Sequence, residues 1–125
     1  MSYMLLIVEP TGQRRERGVE AGKLAYERML QFGAGLQARG VLEASNSLAS
    51  TREAVRLQVR DGRPQLTDGP FAEAKEFLAG FWIVEVASPE RALAIAAVAS
   101  TAPGPGGKPM GIPIEVRQVM SAPSA

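Results

Sequence analysis

Asp68, Lys75, Glu76 and Glu9 are the side chains in this chain whose types and settings could do chemistry. The 125 residues include no histidine and no cysteine. Ser-His and Cys-His nucleophiles are therefore excluded, and so are imidazole or thiolate metal sites of the kind zinc uses. Proton transfer falls to Asp, Glu, Lys or Tyr. Asp68 is the candidate catalytic group, because the rigid Asp68-Gly69-Pro70 turn could hold a carboxylate at a pocket mouth, as a base or as the acceptor for a donor. The same spacing has a structural explanation, since an Asp before Gly-Pro bonds its own turn. Lys75 could fix an anionic ligand and Glu76 could act as acid or base; surface pairing of two such neighbours is the alternative.

Aromatic side chains gather beside these groups. Phe71, Phe77, Phe81 and Trp82 fall within twelve positions, in a chain with one Trp, two Tyr and four Phe. Core or interface packing accounts for most of such a cluster; the alternative is an aromatic wall of a small-molecule pocket, with Phe71 and Phe81 as its ligand contacts. Glu9 ends an apolar strand, where its carboxylate could face the same cleft or simply meet solvent. These six residues, Asp68, Phe71, Lys75, Glu76, Phe81 and Glu9, make up the candidate site. No metal and no cofactor is expected. Gly107-Lys108 is followed by Pro109, which breaks the phosphate-cradling loop pattern and supplies no backbone donor.

The bulk properties narrow the partners. Net charge is +1, and the nearest thing to a basic block, Arg14-Arg15-Glu16-Arg17, is interrupted by an acid. That predicts no nucleic-acid surface. No apolar run approaches the roughly 18–20 residues that span a bilayer. No basic-then-apolar leader opens the chain, and the lack of cysteine suits a reducing compartment, so a cytoplasmic setting is expected.

The elements that must position the site follow from periodicity. Ser2–Glu9 reads as a strand that is apolar on both faces. From about Glu16 to Arg39 the period is helical, with Val19, Tyr26, Met29, Phe32, Gly33 and Leu36 as a core stripe. Glu20, Lys23, Glu27 and Arg28 fall mainly on the wet side. Val41–Leu48 is a short extended piece. Ala54–Arg60 alternates as a half-exposed strand, and Asp61-Gly62 turns it into a hairpin with Gln65–Thr67. Ala79–Val86 is a second strand apolar on both faces. Ser88-Pro89-Glu90 starts a helix that runs to about Ser100. Thr101–Pro113 holds too much Pro and Gly for regular structure, Ile114–Met120 is a last strand, and Ser121–Ala125 is a frayed tail. Residues 1–120 form a single domain.

The order β-α-β-β-α-β, with one extra hairpin strand, predicts an α+β ferredoxin-like fold. Its first and third main strands are central, which suits the two strands that are apolar on both faces. Val55–Arg60 and Ile114–Met120 then fall at the flanks. Two helices cover one face of such a sheet, so the other face, with Trp82 and Val84 among its residues, is left for a second copy. A homodimer of the barrel-like α+β type is expected.

The chain resembles the YCII-related family, in the subgroup marked by a DGPF element. The resemblance rests on Tyr3-Met4-Leu5-Leu6-Ile7, Gly40-Val41-Leu42 and Val59-Arg60-Asp61-Gly62. Most of all it rests on Thr67-Asp68-Gly69-Pro70-Phe71-Ala72-Glu73, with Lys75-Glu76 and Gly80-Phe81 after it. It implies a dimeric ferredoxin-like protein with a cleft near the motif, an unidentified small molecule as partner, and a genomic link to sigma-factor regulation. It also implies a His-Asp pair proposed as catalytic in the wider family, which this chain cannot form. A small-molecule-binding protein or enzyme is one expectation; a non-catalytic dimeric regulatory module is the other.

Overall fold

The computed structural model describes residues 1–101 and 111–120. Strand β1 (Ser2–Pro10) leads into helix α1 (Gln13–Ala38) and strand β2 (Leu42–Ser47). A 3-10 turn at Thr51–Glu53 precedes strands β3 (Val55–Arg60), β4 (Arg63–Asp68) and β5 (Glu76–Glu85). Helix α2 (Pro89–Ser100) and strand β6 (Ile114–Gln118) complete the order. The connection expected over Thr101–Pro113 falls mostly outside the described residues, and the tail expected at Ser121–Ala125 falls wholly outside them.

Four strands form one antiparallel sheet in the order β2-β5-β1-β6. This is the α+β ferredoxin-like arrangement, with β1 and β5 central. Their side chains build the core. Tyr3, Leu5 and Ile7 of β1 meet Ala79, Trp82 and Val84 of β5 under the two helices. Each fully buried side chain of this size contributes about 1.5–3 kcal/mol. On α2, Ala92, Ile95, Ala96 and Ala99 are buried at helical spacing, and these mostly small residues let the helix lie close to the sheet. The Ser88 hydroxyl accepts from the Arg91 N–H at 3.2 Å and Pro89 opens the first turn, as the Ser-Pro-Glu start predicts.

Three expectations need correction. The flanking strand beside β5 is β2, not Val55–Arg60. β3 pairs only with β4, from Val55 opposite Asp68 to Arg60 opposite Arg63, in a separate two-stranded hairpin. An alternating pattern serves a free ribbon as well as a sheet edge, whereas the weakly patterned β2 needs only one paired edge. The second correction is one of face. Leu5 lies opposite Trp82 and Tyr3 opposite Val84, so Trp82 and Val84 are buried with them on the helix side. Met4, Leu6, Phe81 and Ile83 occupy the other face. Both faces of β5 are apolar, and its parity has no reading until the pairing register is known. The third concerns α1. Met29, Phe32 and Leu36 pack against the core, but Val19 is 72 % exposed and Tyr26 51 %.

Candidate functional site

The turn at Asp68 is built by close backbone approach. A Cβ on Gly69 would collide with the Thr51 carbonyl oxygen and crowd that of Ala54, so only glycine fits there. The Gly69 N–H donates to the Ala54 carbonyl at 2.8 Å. Asp68 itself is exposed, and its carboxylate accepts no hydrogen bond among the described residues. Just downstream, Arg56 stacks on the Phe71 ring, 4.0 Å from its centroid, and Arg56 Nη1 donates to Glu73 Oε1 at 2.6 Å. That bond holds the Glu73 carboxyl below its ordinary pKa. Thr11 then ties the segment to the end of β1. Its N–H donates to the Lys75 carbonyl at 2.8 Å and its hydroxyl to the Ala74 carbonyl at 2.9 Å. The Lys75 and Glu76 side chains are exposed.

A cavity lies elsewhere, between α1 and the helix side of the sheet. It measures about 580 Å³. Its formation follows from local sequence. Gly18 breaks the first turns of α1 with φ 82° and ψ 173°. The small residues Gly22 and Ala25 of α1 and Ala79 and Ala99 opposite them leave the space unfilled. Tyr26, Met29 and Phe32 form the helix wall, and Ile7, Trp82 and Ile114 belong to the sheet wall. Phe32 meets Trp82 edge-to-face with centroids 5.0 Å apart, which fixes the indole.

Among the described residues, three charged side chains line this apolar chamber: Glu9, Arg17 and Arg28. Glu9 is 4 % exposed, and Arg17 Nη2 donates to its Oε1 at 3.0 Å. Charge burial of this kind is tolerated because the two ions compensate each other. Arg28 Nε and Trp82 Nε1 are buried donors for which no acceptor stands among the described residues. Among the described residues the lining therefore holds one ion pair and one further cation.

Of the six residues expected from sequence, Glu9 lines the cavity. Asp68, Phe71 and Lys75 are not on its wall, Glu76 lines a second depression with Val8 and Glu115, and Phe81 lies on the opposite face of the sheet. The structure does not bring the six together. Sequence reasoning missed Arg17 and Arg28 as residues of the cavity that Glu9 lines, while Trp82, named there among aromatics that could wall a pocket, does line it. The available signal was the α1 stripe, whose large side chains share the helix with Gly22 and Ala25 on the same side. Such a stripe encloses space rather than filling it.

Among the described residues no group of three or more acidic side chains could hold a metal ion, and no helix is long and apolar enough to cross a membrane. No curated protein matches the chain. The family description "YCII-related domain" matches residues 1–104, which span the sheet's first three strands, both helices and every residue of the candidate site through Ala99. The chain belongs to the YCII-related family.

Proposed function

We propose that the protein binds a small molecule in the cavity between α1 and the sheet, that it does so as a homodimer, and that Glu9 is the group able to exchange a proton with the occupant. The observation that carries this reading is the buried Glu9–Arg17 pair set in an otherwise apolar chamber of about 580 Å³. Small-molecule sites commonly have volumes of about 300–1,000 Å³, apolar walls and a few placed polar groups. An isolated acid–base group suits lyase or isomerase chemistry. Thr67–Glu73 supports placement in the DGPF subgroup, and the motif leads the chain into β5 beside Glu9. The lack of cysteine fits a reducing cytoplasm.

Assembly is supported by the face of the sheet that no helix covers. Met4, Leu6, Phe81 and Ile83 form its apolar centre, with Asn46, Glu115 and Arg117 beside them on the flanking strands. A second reading, a non-catalytic dimeric regulatory module linked to sigma-factor regulation, is favoured by the β3–β4 hairpin. Val55, Leu57, Val59 and Leu66 are 57–66 % exposed there, and such a surface suits a protein contact.

Thermal-shift screening of a metabolite library separates the two, because specific binding stabilises the folded state. Hits should raise the melting temperature of the wild type and lose that effect in Ala25→Phe, which fills the cavity. Hits of equal size in both proteins would move the site elsewhere. An empty screen with an intact dimer would favour the regulatory module.

A further inference from the structure

We infer that the occupant of the cavity is a small organic anion with an apolar body, its acid group seated at Arg28. The inference rests on the reading of the cavity as a ligand site and adds the chemical class of the ligand. It starts from a charge count. Glu9 Oε1 and Arg17 Nη2 pair at 3.0 Å, so these two opposite charges offset each other. Arg28 forms no ion pair or hydrogen bond among the described residues, although its Nε is buried. Residues 102–110 and 121–125 carry no Asp or Glu side chain that could serve it.

A guanidinium cannot shed its charge at any ordinary pH, and its N–H groups only donate. What it lacks is therefore an acceptor, and a charged one offsets its desolvation best. Trp82 lines the cavity as well, but its Nε1 lies beside Gly33, which is not on the cavity wall, so the demand for an acceptor rests on Arg28. A buried cationic donor of this kind selects against a cation and gains little from a hydrocarbon. The remaining walls, Tyr26, Met29, Phe32 and Ile7, offer apolar contact for the rest of the molecule.

The test uses three matched probes: octanoate, octanamide and octylammonium. Trp82 is the only tryptophan and lines the cavity, so its emission reports occupancy directly. Octanoate should bind roughly tenfold or more tighter than octanamide, the ratio expected of one charge-assisted contact in a half-buried setting. Octylammonium should bind weakest. Arg28→Met should abolish the advantage of octanoate over octanamide. Equal binding of octanoate and octanamide, tightest binding of octylammonium, or an octanoate preference that survives Arg28→Met would overturn the anion and leave the cavity standing. If none of the three moves Trp82 emission or the melting temperature, the ligand site itself is refuted and the anion with it. The wild-type comparison needs no variant, so it decides the matter even if Arg28→Met fails to fold.

Discussion

At Glu85 the carboxylate accepts from the α-amine of Met1 and from the Ser2 hydroxyl, the latter at 2.8 Å. The amine contact first and the hydroxyl second lower its pKa from 4.5 to about 2. A carboxylate with a depressed folded pKa contributes stability that is fully present above its unfolded value and is lost as pH falls through the folded one. The contribution of Glu85 is thus intact above about pH 4.5 and gone near pH 2. Melting curves of wild type and Glu85→Gln should differ at pH 6 and converge near pH 2; a constant gap across that range would refute the assignment. Legibility at this scale was uneven. Glu9 could be picked out because an acid closing an apolar strand is conspicuous. Arg28 could not, because helical phase puts it on the wet side, yet it lines the cavity in the folded chain. Arg17 lies eight residues from Glu9 across a turn, and no periodicity relates a strand end to a helix start.

The elements themselves were mostly readable, because their signals are local. The Ser88 cap, the Asp61-Gly62 hairpin turn and the two strands apolar on both faces all appear where their residues place them. What failed was partnership: β3 against β2 as the flank, and the face of Trp82. Both depend on register, which is a property of two strands together. The DGPF turn shows the same division. Asp68 invites a functional reading, yet the constraint in this turn is Gly69, where the backbone of the 3-10 turn leaves no room for a Cβ. Gly69→Ala should destabilise the protein by about 1–3 kcal/mol through overpacking. Asp68→Asn, at an exposed carboxylate without a bond, should stay within about 0.5 kcal/mol of wild type and leave octanoate binding unchanged. Chemical denaturation of the two variants checks this, and the reverse order of effects would return Asp68 to the centre of the motif.

For the whole molecule, the governing fact is that both helices lie on one side of the sheet. Met4, Leu6, Phe81 and Ile83 form an apolar strip on the side away from them, and pairing two such strips is the economical way to cover it. Sedimentation at micromolar concentration should find a dimer, with an interface of about 1,200–2,000 Å². Ile83→Glu should shift it to monomer without unfolding it, and a wild type that sediments as a folded monomer would defeat the proposal.

The β3–β4 hairpin adds a consequence in time. Its ladder is not continuous with the four-stranded sheet, and two strands alone are marginal in water. Its amide protons should therefore trade with solvent long before those of β1 and β5, whose release waits for the entire chain to open. The molecule runs on two clocks, and a protease could nick the exposed tip at Asp61-Gly62 while the sheet behind it stays closed.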